Sequence, residues 1–193
     1  MLYYIESNTN EGTKMKIKTE NLLNIHLPRW EELPTFDLYI DQVIGFISEH
    51  LSVFNHGDEP LITASMINNY VKNGVLHPAV KKKYNREHLA KLMVVCIGKR
   101  MLSISDVKES INAMMRVFSV AEGYNIFCDE IEYEIFSTVC PEKYPPKTID
   151  DIDTHDSAIV HLLASSVARV LIFDKIVGQR KRLSELTYKL LNQ

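Results

Sequence analysis

The sequence contains little glycine, little proline and few cysteines for its length. Seven glycines and seven prolines among 193 residues leave long stretches without a helix breaker, which favours a mainly helical protein. The three cysteines, Cys96, Cys128 and Cys140, are odd in number and widely spaced, without the CxxC spacing of a zinc site. We therefore expect reduced thiols in a cytoplasmic protein that uses no metal and no other cofactor.

Membrane-spanning runs and the common catalytic motifs are also absent from the sequence. The most apolar region, 158–177, contains His161, Arg169, Asp174 and Lys175, which a membrane helix rarely carries. The first residues lack a basic start followed by an apolar run, so we expect no secretory signal. Neither a glycine-rich phosphate loop nor a GxSxG motif occurs, and we expect a protein that is not an enzyme.

The sequence does have a local excess of positive charge. Residues 72–100 include eight basic residues and one acid, a net charge of +7 in a chain whose total is −3, so the remainder sums to −10. A DNA backbone responds to the local patch and not to the total. Residues 128–156 are the acidic counterpart, with nine acids against two lysines, and their prolines predict a short helix followed by a loop.

Apolar residues at three- and four-residue spacing predict a succession of helices. A first helix is expected over 37–51. Thr63 is a suitable N-cap for a second helix over 64–72, which ends before Gly74. The outward face of this second helix carries Ser65, Asn68, Asn69 and Lys72.

A basic turn separates the second helix from the third. The segment 80–84, Val-Lys-Lys-Lys-Tyr, is too short and too basic for a core element and predicts a β-hairpin or wing. Asn85 is expected to cap a helix over 86–101, and Ser103 the helix that follows. This order is typical of a winged helix-turn-helix, which places one helix in the DNA major groove and a hairpin on the backbone beside it.

Details of these segments point to a known class of regulators. Tyr70 is followed by a short polar step and Gly74 before the wing, and the wing ends in Lys83-Tyr84 ahead of Asn85-Arg86. This arrangement resembles the MerR-type winged-helix regulators, although Asn68-Asn69 stand where those proteins usually carry Arg-Tyr and the wing is shorter. The longer string from LPRWEELP to VVCIGK is similar to a bacterial family known as domain of unknown function 1836, over about residues 27–190. That likeness implies a MerR-like fold and a regulatory role.

On this interpretation the second helix and the wing contact double-stranded DNA. An asparagine amide can pair with the N6 and N7 atoms of adenine, so Ser65, Asn68 and Asn69 are candidates for base contacts. Lys81–Lys83 are candidates for phosphate contacts, and Tyr84 suits packing in the wing better than a base contact. The complete expected DNA-binding set is Thr63, Ser65, Asn68, Asn69, Lys72, Lys81, Lys82, Lys83, Tyr84 and Arg86.

The long apolar helix expected over 156–177 is hydrophobic on nearly all sides, as in a helix that lies centrally in a bundle or at a subunit interface. Gly178 and the basic run 180–182 are expected to interrupt it. MerR-like regulators dimerise through their C-terminal helices, so the resemblance implies a homodimer. The expected dimerisation set is Ile159, Leu162, Leu163, Val167, Val170, Leu171 and Phe173.

The sequence therefore predicts a mainly α protein with an N-terminal arm and linker (1–35), a MerR-like winged helix-turn-helix with a short β wing (36–111) and a C-terminal helical domain (112–193). The expected function is a DNA-binding transcriptional regulator, whose C-terminal domain dimerises and could sense a small-molecule effector. One alternative is a protein-interaction module that binds an acidic partner through Lys81–Lys83. Another is a small helical hydrolase that uses His155 and Asp156, although these residues also suit the first turn of a helix capped by Thr154.

Overall fold

The computed structural model describes residues 4–5, 15–16, 22–55, 59–148 and 155–191, and in these residues the fold is mainly helical, as predicted. The helices are α1 (Ile40–His50), α2 (Ala64–Lys72), α3 (Arg86–Gly98), α4 (Ile104–Val117), α5 (Val120–Val139) and α6 (His155–Leu191). The strands are β1 (Tyr4–Ile5), β2 (Met15–Lys16), β3 (Leu38–Tyr39) and β4 (Lys83–Tyr84), paired antiparallel as β1 with β2 and β3 with β4. No helix of the described part combines the length and apolar character needed to cross a membrane.

Side-chain caps determine where four of the helices begin. The predicted caps Thr63, Asn85 and Ser103 each accept a hydrogen bond from a backbone N–H three residues further on, at 3.1–3.2 Å. Ser119 is a fourth cap, which the sequence pattern does not single out; its hydroxyl accepts from the N–H of Glu122 at 3.3 Å and begins α5. The acidic stretch expected to hold a short helix therefore contains the second half of a 20-residue helix.

Three predicted helix boundaries are wrong. The helix expected over 86–101, α3, ends at Gly98. The first helix begins at Ile40 and not at residue 37, because Leu38–Tyr39 form β3 and pair with β4. Near the other end of the chain, Gly178 and the basic run 180–182 do not interrupt α6, which has 37 residues in total. A glycine inside a helix costs only about 1 kcal/mol relative to alanine, and like-charged neighbours cost less.

The hydrophobic core is one continuous cluster that extends from Leu22 to Leu171. Its centre is α3, which contacts α1, α4, α5, α6 and β4. The boundary predicted between residues 111 and 112 falls inside α4. The predicted N-terminal and C-terminal domains therefore share a single core.

Residues 22–35, the continuous described part of the segment expected to be an arm and linker, are anchored to α5. The backbone N–H of Leu27 donates to Glu132 Oε1 at 2.6 Å, and the Arg29 guanidinium donates to both Glu132 oxygens at 2.8 and 2.7 Å. The hydroxyl of Tyr124 donates to the carbonyl of Pro28 at 2.8 Å. The bonds to Glu132 raise the pKa of Arg29. One carboxylate thus joins the N-terminal segment to the C-terminal half.

We expect Glu132→Ala to lower the free energy of unfolding by about 3 kcal/mol, because it leaves the Leu27 N–H without its acceptor and removes the buried one of the two carboxylates that bond the Arg29 guanidinium. Urea unfolding measures the loss. Asp129→Asn is the matched control, since Asp129 contacts the same guanidinium at 2.8 Å but is 66% exposed; it should cost less than about 1 kcal/mol. Equal losses in the two variants would show that Glu132 has no special anchoring role.

Candidate nucleic-acid interface

Helix α2 has one buried face and one polar, exposed face, as predicted. Ile67 and Tyr70 are 0% exposed, and burial raises the pKa of Tyr70 to about 12. Ser65, Asn68, Asn69 and Lys72 are exposed. The helix therefore presents a short row of side chains with hydrogen-bonding capacity to a partner outside the protein.

The two exposed asparagines of α2 differ in their bonding. Asn73 Nδ2 donates to the Asn69 carbonyl at 2.7 Å and to Asn69 Oδ1 at 3.0 Å. The Asn68 side chain has no hydrogen bond to any residue that the structure describes. Because a bidentate contact with adenine uses both the oxygen and the nitrogen of one amide, Asn68 is the better placed of the two for base recognition.

The C-terminus of α2 is fixed by a Schellman motif. Gly74 adopts a φ of +67°, which only glycine adopts at no steric cost, and the N–H of Val75 reaches back to the Tyr70 carbonyl at 2.9 Å. From α4, Lys108 Nζ donates to the Asn73 carbonyl at 3.1 Å. The sequence identifies the glycine but not Lys108, because the contact of Lys108 with the end of α2 depends on the tertiary fold.

The predicted wing is a minimal hairpin. Val80 and Lys83 exchange both backbone hydrogen bonds, at 3.1 and 2.9 Å. The two residues between them, Lys81 and Lys82, have φ angles of +51° and +64°, as in a type I′ turn, which normally holds Asn-Gly. A left-handed conformation costs a residue with a Cβ roughly 1–2 kcal/mol. The turn therefore holds two exposed lysines in a conformation that glycine would adopt with less strain.

The base of the hairpin belongs to the core. Tyr84 pairs with Leu38 in the β3–β4 ladder, is 6% exposed and contacts the His88 ring edge-on, with 5.4 Å between centroids. Tyr84 is therefore a packing residue, which leaves little of its surface for the DNA contact that its place in the expected set implies. Lys83 is half-buried, and its Nζ lies 5.2 Å from the centroid of the exposed Tyr39 ring.

Two further members of the expected DNA-binding set have structural roles. The hydroxyl of Thr63 caps α2. The Arg86 guanidinium lies 5.4 Å from the Trp30 ring centroid and donates to the Pro34 carbonyl at 3.5 Å. Both residues are half-buried. They therefore hold the candidate interface in place and offer little surface of their own to a partner.

Internal ion pairs reduce the number of unpaired positive charges in the basic segment 72–100. Lys91 bonds Glu87 at 2.6 Å, which lowers the pKa of that carboxyl group, and Arg100 pairs with Asp174 of α6. The other six basic residues of the 72–100 segment form no ion pair with a described acid. They are Lys72, Lys81, Lys82, Lys83, Arg86 and Lys99, the last with its Nζ 5.4 Å from the Tyr70 ring centroid.

The expected dimerisation set divides into two groups on α6. Leu163, Val167 and Leu171 are 8%, 0% and 1% exposed and pack in the core, so they leave almost no surface for the interface to which they were assigned. The cause is α5, which is longer than the sequence predicts and covers this face. Ile159, Leu162 and Phe173 are 42%, 48% and 63% exposed, and Val170 is half-buried.

The cavity between the C-terminal helices is small for a small-molecule effector. An apolar cavity of about 50 Å³ lies between α3, α4, α5 and α6, beside Met114, Tyr124 and Phe127. It is much smaller than the roughly 150 Å³ cavity that accommodates benzene. The side chains of His155 and Asp156 lie outside the part of the chain that the structure describes.

Comparison with known proteins identifies one family. A family model described as a domain of unknown function (DUF1836) matches residues 28–130, which include α1 to α4, the hairpin and the first half of α5. No curated protein and no solved structure matches the chain significantly.

We expect Lys82→Gly to raise the free energy of unfolding by about 1 kcal/mol relative to Lys82→Ala, because glycine alone relieves the left-handed strain. Both variants lose the same charge, so their difference isolates the backbone conformation. Urea unfolding of the two proteins measures it. Identical stabilities would mean that the turn stores no strain.

Proposed function

The chain belongs to the DUF1836 family, and we propose that it is a transcriptional regulator with a MerR-like winged helix-turn-helix that binds duplex DNA. In this proposal α2 enters the major groove, and the hairpin tip lies on the phosphate backbone. The observation that carries it is the turn at Lys81 and Lys82, where two adjacent lysines occupy positive φ angles at an exposed tip. Strained backbone of this kind concentrates at functional sites.

The dimensions and chemistry of α2 support this proposal. Its nine residues span about 14 Å at 1.5 Å per residue, and the DNA major groove admits a helix. The Asn68 amide has the donor and the acceptor that an adenine edge requires. Lys72 at the end of α2 and the two lysines of the tip supply charges for phosphates. The helix and β4 both contact α1, so one element positions the two groups.

The alternative is a protein-interaction module that binds an acidic partner through the same lysines. The internal ion pairs of Lys91 and Arg100 favour this alternative, since they leave fewer positive charges to bind a DNA backbone. The two functions differ in the role of Asn68. An acidic protein partner has no need of that amide, whereas base recognition depends on it.

We further propose that the regulator is a homodimer joined through α6. At 100° per residue, Ile159, Leu162, Val170 and Phe173 lie within about 80° of one another around the helix, beside the stripe that packs on α5. Three of these side chains are at least 42% exposed. A second copy related by a two-fold axis would cover the same stripe on each chain and would match a palindromic DNA site.

The DNA prediction is tested on a duplex that the purified protein has selected from random fragments. It compares two variants with opposite expected effects, one on sequence preference and one on salt dependence. Asn68→Ala should lose about 1–3 kcal/mol on that duplex and flatten the preference at one base pair. Its plot of log K against log salt should keep the same slope. Replacing Lys81 and Lys82 together by glutamine should make the slope shallower by roughly 0.9 for each phosphate that the protein no longer neutralises. Selectivity should be unchanged, because phosphates carry no sequence information.

Asn69→Ala is the matched control for this experiment, because that amide is already bonded to Asn73. It should keep most of the selectivity. A protein that selects no duplex, or one whose binding is insensitive to both variants, would exclude the proposed function. Loss of binding in the lysine variant alone, with full retention in Asn68→Ala, would favour the interaction module.

The dimer prediction uses exposed residues of α6, so that folding and association can be separated. Light scattering at micromolar concentration should give about twice the 22.2 kDa chain mass. A double Leu162→Glu and Phe173→Glu variant should give the mass of one chain with nearly unchanged stability, since both side chains lie outside the core. Phe36→Glu, at a position 66% exposed near β3, should remain dimeric. A wild-type protein of single-chain mass would disprove the dimer.

A further inference from the structure

A cluster of ligand-type side chains lies between α5 and α6, away from the candidate DNA interface. Glu130 and Glu134 are one turn apart on α5, and His161 of α6 lies opposite them. His161 Nδ1 is 3.4 Å from Glu130 Oε2 and 3.4 Å from Glu134 Oε1. The three ligand atoms all lie within 4.8 Å of one another.

The cluster contains a buried carboxylate oxygen without a hydrogen-bond partner. Glu134 is 6% exposed, and its Oε1 accepts no hydrogen bond from any described residue. Burying such a group unpaired is costly. The nearby Lys147 does not satisfy it, because the Lys147 ammonium group bonds the other oxygen of Glu130, Oε1. A positive charge at the point where the three side chains converge would therefore stabilise the two carboxylates.

We propose that Glu130, Glu134 and His161 bind one divalent transition-metal ion. A tetrahedral ion with bonds of about 2.0–2.1 Å separates its ligand atoms by about 3.3–3.4 Å, and both histidine-to-carboxylate distances are 3.4 Å. One imidazole nitrogen and two carboxylate oxygens suit Zn²⁺ and its first-row neighbours better than Ca²⁺ or Mg²⁺, which take oxygen ligands. The bond from Lys147 to Glu130 is the kind of outer contact that orients a ligating carboxylate.

A proton on His161 is the competing explanation for the cluster. An imidazolium would donate to a carboxylate at about 2.7–2.9 Å, the usual length of a charge-assisted hydrogen bond. His161 Nδ1 makes a hydrogen bond of 3.4 Å with Glu130 Oε2, longer than that, and lies equally far from Glu134 Oε1, with which it makes none. The long distance to both carboxylates favours an ion located between the three atoms over a proton held on the imidazole.

A second histidine–glutamate group in the protein provides a contrast. His26 Nε2 lies 2.9 Å from Glu32, and its Nδ1 lies 3.7 Å from Glu132. There the Arg29 guanidinium already bonds both oxygens of Glu132, so the positive charge is supplied by the chain itself. His26 is thus a matched control that has similar neighbours but no need of a metal ion.

The sequence contains no signal of this site because its ligands come from two helices. The two glutamates are four residues apart and share a helix face, but i, i+4 acids are common on solvated helices. His161 joins them only through the packing of α5 on α6. An ion at this point would connect the two helices that form most of the C-terminal half.

The test uses full-length protein stripped of metal with a chelator. Co²⁺, followed by its visible absorption, and Zn²⁺, measured by competition with a chromophoric chelator, should each bind at one equivalent per chain. Glu134→Gln and His161→Gln should weaken Zn²⁺ binding by at least about 10–100-fold, since changes even to outer-shell partners have that effect. His26→Gln should bind Zn²⁺ as the wild type does. Zn²⁺ should raise the Tm of the wild type and of His26→Gln but not of the two ligand variants.

The metal-free Glu134→Gln variant separates a ligand from a structural residue. It removes an unpaired buried charge while keeping the shape, so its metal-free Tm should equal or exceed that of the wild type while its metal response is abolished. This variant keeps the test decisive if His161→Gln fails to fold. Absence of saturable binding in the wild type, or equal Zn²⁺ affinity in Glu134→Gln, would overturn the proposal in favour of a protonated histidine.

Discussion

The burial of α3 on almost all sides is the constraint on which the other elements depend. Nine of its 13 residues are buried, around the whole helix except the stripe of Glu87, Lys91 and Val94, so it needs neighbours in most directions. Helices α1, α4, α5 and α6 provide them, with β4 at its N-terminus. The one buried polar side chain at that end, His88, donates through Nε2 to the His77 carbonyl at 3.1 Å. Burial lowers the pKa of His88, so the histidine stays neutral and satisfied at neutral pH.

The sequence allowed the local features to be predicted and not the long-range ones. The caps Thr63, Asn85 and Ser103, the glycine after α2 and the basic hairpin are each encoded within a few residues, which is why they were confirmed. The bond between Asn69 and Asn73 also follows from an i, i+4 spacing and could have been recognised. By contrast, the docking of residues 22–33 on α5 and the ion pair of Arg100 depend on the fold. So does the division of α6 into covered and exposed stripes.

The distribution of charge in space differs from the distribution along the sequence. Two acids of the second half point inward: Glu132 and Glu134 are 9% and 6% exposed, the first against Arg29 and the second towards His161. The lysines of the hairpin tip point outward. The total charge of −3 does not describe the surface around the tip. An approaching polyanion would meet the lysines of the tip directly, because the acids that outweigh them in the sum are concentrated in residues 128–156.

The contacts of Arg100 have a consequence for how the chain folds. At the end of α3, its guanidinium bonds both the Phe54 carbonyl, after α1, and Asp174 on α6. It is 12% exposed, and Asp174 is 18% exposed, so the ion pair lies largely buried between α6 and the elements before it. A shorter chain made without α6 would lose this ion pair together with the cover that α6 gives to α3, α4 and α5. The two halves should therefore unfold in a single transition, and the natural unit for expression or crystallisation is the chain through α6 and not the segment through α4 alone.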